Sequence, residues 1–323
     1  MADAIISQLG VVNAATPANY DDANTLFMKQ FTGEVLTAFN EMNVFMPMHQ
    51  VRTISQGKSA SFNHTGKANA RYHTAGTPIL GENKVKHAET IIKIDDKLIS
   101  DVFIDDLEEA KNHYDVRSEY SKQLGAALSR EFDQKVARVI ALAARSPNKI
   151  DDLDGGSRLV NASAKTDGTV LSGMLFDAAQ TFDEKDVWEG ERYAVFKPAQ
   201  YYLLVQNKDN LNRDWGGNGN YASATLPQVA GIDIHKSNNI PTTNVAAASG
   251  EQNNYAGDFS TTAGLVFQKA AAGTVKLMDL AMQKSGSDFE IMYQGTLMVG
   301  KYAMGHGVLR PECAIEIATG AVV

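Results

Sequence analysis

Gly57-Lys58-Ser59 has the composition that closes a phosphate-binding loop, in which backbone N–H groups cradle phosphates and the lysine meets their charge. That chemistry needs an earlier glycine at position 52, which is Arg52, and a helix afterwards, where SASFNH reads as a strand. Gly217, Gly219 and Ala222 match the dinucleotide fingerprint G-x-G-x-x-A. The preceding KDNLNRDW is not an apolar strand and Pro227 cuts short any following helix, so the stretch reads as a tight loop. His49, His64, His73, His87, His113, His235 and His306 show no H-x-x-x-H or H-E-x-x-H spacing, and with Cys313 the only cysteine there is no zinc framework. Asp151, Asp152 and Asp154 lack the other ligands and the closing glutamate of a calcium loop. No G-x-S-x-G elbow is present. The residues therefore predict no catalytic site, no cofactor and no metal, and the chain reads as something other than an enzyme.

With 323 residues and 44% hydrophobic content, the chain can bury one elaborated core or two. A net charge of −8 argues against a surface that seeks nucleic acid, so any contact with DNA is expected to be weak and non-specific. A lone cysteine excludes an intrachain disulfide and fits a reducing compartment. There is no Lys or Arg before Lys29, hence no basic region of a secretory signal, and no apolar run approaches the ~18 residues that span a bilayer. A soluble protein made in the cytoplasm, with no membrane contact, is expected.

The element that must position everything else is the helical pattern from Asp115 to Arg145. Val116, Tyr120, Leu124, Leu128, Phe132, Val136, Val139, Ile140 and Ala143 form one apolar stripe, with Glu119, Lys122, Arg130, Asp133 and Arg138 falling largely elsewhere. Asp115 suits the N-cap and Ser146-Pro147 the stop. At 1.5 Å per residue the helix would be about 46 Å long, and Gly125 with the non-heptad spacing favours a spine laid across a sheet over a coiled coil.

Ahead of the spine, the first twenty residues read as an arm and residues 21 to 40 as an amphipathic helix carrying Leu26, Phe27, Phe31, Val35, Leu36 and Phe39. Residues 51 to 94, with runs VRTI, SASFNH and TIIKI between glycines, predict a long twisted hairpin. Charge is one-sided here. Arg52, Lys58, Lys67 and Arg71 have no acid among them from Met42 to Gly81, whereas Asp95, Asp96, Asp101, Asp105, Asp106, Glu108 and Glu109 crowd the next segment against Lys97 alone. Arg52, Lys58, Lys67 and Arg71 on one side and Asp101, Asp105, Asp106, Glu108 and Glu109 on the other are the candidates for contact between subunits, through exposed pairs that act on register and salt sensitivity more than on affinity.

Beyond the spine, residues 147 to 169 are turn-rich and read as a boundary. A helix through Leu171, Leu175, Phe176, Ala179 and Phe182 follows, then the strand RYAVF, a helix opened by Pro198, a strand at Val229 to Ile234 entered by a turn at Gly231, and a strand from Ala263 to Gln268. VKLMDLAMQ, EIMYQGTLMVGKYAM and ECAIEIA read as long returning strands, for which TIIKI and VFI are the natural partners.

Five ordered runs, GEVLTAF at 33 to 39, GKSASF at 57 to 62, NHYDVRSEYSKQLG at 112 to 125, GTVKLMDLA at 273 to 281 and KYAMGHGVLRPE at 301 to 312, resemble the major capsid protein of short-tailed podoviruses, the Autographiviridae-type phages. The resemblance covers about residues 21 to 145 and 273 to 315; between 146 and 270 only the style of VAGIDIHKSNNIP matches. It implies an α+β, HK97-like fold: an N-terminal arm over 1–50, an extended E-loop over 51–95, a P-domain over 96–168 with the spine helix 115–145, an A-domain over 169–270, and return strands of the P-domain over 271–323. It further implies a virion structural protein, made in the host bacterial cytoplasm, that assembles with itself as hexamers and pentamers into an icosahedral head around double-stranded DNA, with a scaffolding protein and a portal as assembly partners. The alternative is the shell protein of an encapsulin-like cellular nanocompartment, which shares that fold.

Overall fold

The computed structural model describes residues 43–81, 83–107, 116–207, 210 and 223–320. The arm, the helix expected over 21 to 40, Glu108, Glu109 and the G-x-G-x-x-A stretch lie outside these. In chain order the strands are β1 (Gln50–Thr53), β2 (Ser59–Thr65), β3 (His87–Lys93), β4 (Leu98–Asp105), β5 (Ser157–Val160), β6 (Arg192–Phe196), β7 (Gln228–Val229), β8 (Ile232–Lys236), β9 (Asn244–Val245), β10 (Gly257–Asp258), β11 (Thr262–Gln268), β12 (Ala272–Lys284), β13 (Gly295–Val308) and β14 (Ala314–Ala318). The helices are α1 (Val116–Ala144), α2 (Gly168–Glu184), α3 (Pro198–Gln206) and α4 (Ser287–Tyr293). The described chain divides into two compact units: one takes 97–107, 116–131 and 278–303, the other the described residues of 43–96, 132–277 and 304–320, so the division falls inside α1, β12 and β13.

In the first unit, β4 pairs antiparallel with the first half of β13, from Asp105 opposite Gly295 to Leu98 opposite Tyr302. The VFI run is thus a partner of the returning strands, as expected. EIMY is not strand. Phe289 and Glu290 bond back to the Gly286 carbonyl, and the helix ends where Gln294 takes a left-handed φ of 50°. Ile291 and Met292 are each 71% exposed, so their apolar character, which suggested a strand, is not matched by burial. Phe289 packs instead on Phe103 and Tyr293. Leu124 and Leu128 of α1 are buried in this unit.

In the second unit a six-stranded sheet runs in the order β5-β14-β11-β6-β8-β7. Every residue of β11 and β14 is buried, as strands covered on both faces require. ECAIEIA therefore does not pair with the segments before the spine; β14 lies antiparallel to β11 and parallel to β5. Asp167 caps α2 by accepting from the amides of Thr169 and Val170. Leu171, Met174, Leu175, Ala178 and Phe182 supply its buried face, while Phe176, expected there, is 58% exposed. Pro198 opens α3 as expected. From Phe132 to Ala143 the stripe of α1 is buried at each predicted position, and each such side chain contributes roughly 1.5–3 kcal/mol of transfer free energy if large and apolar. The helix stops as its last amides bond three residues back and Ser146 Oγ donates to the Leu142 carbonyl, before Pro147.

The hairpin is shorter than predicted. β2 and β3 pair antiparallel, Ser59 opposite Lys93 through Thr65 opposite His87. The VRTI run is not part of it. β1 lies parallel to β12, Gln50 opposite Gly273, and Ile54 N–H continues that ladder to the Lys276 carbonyl. Gly57, at φ +118°, breaks the chain between β1 and β2 in a conformation that costs a side chain strain. TIIKI accordingly pairs with β2 and not with the returning strands. Alternation seats one face of the hairpin: Ala60 and Ile92 join Val275 and Leu309, while Ile91 on the other face is 58% exposed. At Gly305 a Cβ would overlap the Lys93 carbonyl, so only glycine permits that approach.

Candidate assembly surface

Between β2 and β3 the described residues 66–81 and 83–86 make an irregular excursion with a turn at Thr74–Thr77, where Thr77 N–H and Oγ1 both donate to the Thr74 carbonyl and Gly76 takes φ +87°. Tyr72, Ile79 and Leu80 stand 104%, 74% and 75% exposed on it, three large side chains that no core of this chain covers. Its base is tied by charge. Lys86 Nζ lies 3.0 Å from Asp151 and 3.4 Å from Asp152, and Lys67 Nζ lies 2.5 Å from Asp186. The Asp186 hydrogen bond holds the Lys67 ammonium above its ordinary range and the Asp186 carboxyl below its own.

The other predicted cations are near the same hairpin. Arg52 donates to the Ser61 carbonyl at 2.7 Å and lies 5.9 Å over the Phe62 ring; Lys58 and Arg71 are exposed. Asp101, Asp105 and Asp106 belong to the first unit, where Asp101 is exposed, Asp105 caps the Leu107 amide and the Asp106 amide bonds to Gln294. Asp95 is not a solvated acid. It is 6% exposed and accepts from Tyr255 Oη at 2.5 Å, the Gln252 amide at 2.9 Å and Asn253 Nδ2 at 3.0 Å.

Beneath the surface lie charged and polar clusters that periodicity assigned elsewhere. Asp133, 1% exposed, accepts from the amides of Val44 and Phe45 and from Asn239 Nδ2. Lys135 lies 3.7 Å from Glu251, 4.0 Å from Asp95 and 5.1 Å over the Tyr255 ring. Burial, then the Asp95 charge, pushes the Tyr255 hydroxyl well above its ordinary range, so it remains a donor. Glu316 sits between Arg145 and Arg158. A lone charge inside AIEIA was the signal for this cluster: a charge in a strand with no polar face must be paired.

Thr274 Oγ1 bridges His49 Nε2 at 2.6 Å and His306 Nδ1 at 2.8 Å, which on spacing alone suits a hydroxyl nucleophile and its base. Thr274 is 0% exposed and His306 1%, so no substrate reaches them; the array ties strands and helix together. Cys313 is equally remote, burial and then Glu312 pushing its thiol up to about 12. Gly57-Lys58-Ser59 leads into strand β2, so the helix dipole of a phosphate loop is missing. Among the described residues no three His, Cys, Asp or Glu are grouped to hold a metal ion, and no helix is long and apolar enough to cross a membrane.

The sequence matches the family model of the Gp10A-like major capsid protein over residues 61–318. The chain belongs to the Gp10A-like major capsid protein family. It is 34% identical over 327 residues to the major capsid protein of Escherichia phage T7, covering 94% of this chain and 92% of that protein. Its identity to the major capsid protein of Enterobacteria phage T3 is 32% over 328 residues, again 94% of this chain and 92% of the relative. The capsid structure of the cyanophage P-SCSP1u superposes with a TM-score of 0.83 at 49% identity, covering 99% of both chains. The fold is thus the HK97-like α+β fold of phage capsids, and the protein is a structural component of virions, not an enzyme, that assembles with copies of itself into a shell. An encapsulin-like nanocompartment is the disfavoured alternative.

Proposed function

We propose that the chain builds an icosahedral head of hexamers and pentamers around double-stranded DNA, in the host bacterial cytoplasm, on a scaffolding protein and a portal. The observation that carries this reading is the excursion over 66–86. It exposes Tyr72, Ile79 and Leu80 far from any core of its own, which a self-contained fold does not need and a neighbouring subunit would cover. In the same reading residues 1–50 serve as arm, 51–95 as E-loop, 96–168 and 271–323 as P-domain and 169–270 as A-domain. Arg52, Lys58, Lys67 or Arg71 then meets Asp101, Asp105, Asp106, Glu108 or Glu109 of another copy. The net charge of −8 supports a lining that packs DNA without holding it.

Electron microscopy of particles formed when the chain is expressed with a scaffolding protein tests the architecture, with closed shells of hexamers and pentamers expected and only open sheets or soluble monomers counting against it. Particles recovered from infected cells should hold double-stranded DNA; a protein cargo would favour the nanocompartment. For the charge pairs, Lys58→Glu should impair assembly and a charge-reversed acid on the partner should restore it. Unchanged assembly by Lys58→Glu, Arg52→Glu and Arg71→Glu together would remove those residues from the interface.

A further inference from the structure

A small polar pocket of about 130 Å³ opens beside α1, between the turn carrying Gln134 and Arg138 and the loop carrying Asn238, Asn239, Thr242 and Thr243. That is the space of about four water molecules. None of its lining residues is acidic. Arg138 Nε is buried and has no hydrogen-bond partner among the described residues, and Nη2 makes one long bond, 3.3 Å to Gln134 Oε1. A second cation is tied to the lining: Lys197 Nζ donates to Thr242 Oγ1 at 2.8 Å. Asp133 is tied to this lining through Asn239 Nδ2 at 3.3 Å, and its oxygens also accept from the amides of Val44 and Phe45.

We propose that this pocket binds a single phosphate-class oxyanion, held by the Arg138 guanidinium with the hydroxyls and amides of the loop, and with Lys197 at its rim. A buried guanidinium N–H without an acceptor is costly, and an anionic oxygen is the partner that guanidinium geometry accepts best. Lys197 supports the same sign of ligand. Burial, then the Lys165 charge, holds its ammonium below the ordinary range, and a bound anion would relieve both. The anion has two sources, free phosphate or a phosphodiester of DNA, which share this chemistry.

Inorganic phosphate, titrated against chloride at constant ionic strength, is the probe on the unassembled full-length chain. Melting temperature and the phosphorus-31 linewidth report binding. Saturable binding is expected in the wild type, weaker by about tenfold in Arg138→Gln, the loss of one charge-assisted hydrogen-bonding partner. Lys197→Gln, at the rim, should weaken it about twofold to fivefold, and it keeps the test decisive if Arg138→Gln does not fold by circular dichroism. A short DNA duplex that displaces phosphate would identify the phosphodiester as ligand, and failure to displace it the free anion. Non-saturable binding in the wild type, or wild-type affinity in both variants, overturns the site.

Discussion

Arg145 reaches both carboxylate oxygens of Glu316, Nε to Oε2 and Nη2 to Oε1, each at 2.7 Å, while the glutamate itself is 0% exposed. This parallel fork joins the end of α1 to the interior strand β14, and Arg158 Nε and Thr262 Oγ1 complete the shell of donors. Burial alone would push the Glu316 carboxyl up; the Arg145 and Thr262 hydrogen bonds and the two guanidinium charges outweigh it and hold it below the usual range.

Removing Arg145 takes the two-pronged partner from a buried carboxylate and leaves it Arg158 and Thr262 as donors. Arg145→Met should therefore cost about 3–5 kcal/mol in urea unfolding of the unassembled chain, more than Arg145→Met combined with Glu316→Leu. Because the folded carboxyl sits below its unfolded value, the stabilisation is present above about pH 4.5 and is lost as pH falls through the folded pKa. A single variant no worse than the double one would show that the pair is not coupled.

Asp133 gathers the amides of Val44 and Phe45 onto α1 from 89 and 88 residues away. Asp133→Ala should raise hydrogen exchange at Val44 to Met48 before it affects α2 or α3, with a stability loss of roughly 1.5–3 kcal/mol for hydrogen bonds to a charged group. Uniform loss of protection across the second unit would contradict a local anchor.

Burial lowers the His49 pKa to about 4, the Phe45 carbonyl opposing it and the Lys276 and Lys269 charges adding to it. The unfolded ring takes its proton near 6.5 while the folded one stays neutral, so His49 contributes full stability above pH 6.5 and loses it as pH falls towards 4. The span is about 3 kcal/mol. His306 adds in the same direction, with burial, then His49 and Lys135, lowering it. His49→Asn should flatten the pH dependence of unfolding between 6.5 and 4; an unchanged slope would assign the acid sensitivity to other groups.

Leu128 is 2% exposed on α1. Leu128→Ala should cost about 2–5 kcal/mol, and Leu128→Asp more, by adding a desolvated charge to the lost burial. Sedimentation and electron microscopy of the variants would report it, and a soluble, shell-forming Leu128→Asp protein would mean that the stripe does not carry the spine.

Copies in non-identical positions of one shell should differ most where packing is thinnest. Superposed on residues 116–144, they should scatter more over 66–86, where a Cβ added to Gly76 or Gly81 would meet nothing within 4 Å, than over β11 and β14, whose every residue is buried. Equal scatter would put the compliance elsewhere.

Local pattern alone determined where α1 lies, its stripe from Leu124 to Ala143, the pairing-competent runs β2, β3, β6, β8 and β11, and the Pro198 start of α3, because periodicity and caps are properties of neighbours along the chain. The five ordered runs carried the capsid resemblance for the same reason. Which strands meet was decided in three dimensions: β1 pairs with β12 across more than two hundred residues, β14 enters the six-stranded sheet, and EIMY coils into α4. So were the fates of charges. Asp133, Asp95, Lys135 and Glu316 look like surface residues by type, and each is buried because partners distant in sequence offset its desolvation, by hydrogen bonds for the three acids and by ion pairs with Glu251 and Asp95 for Lys135.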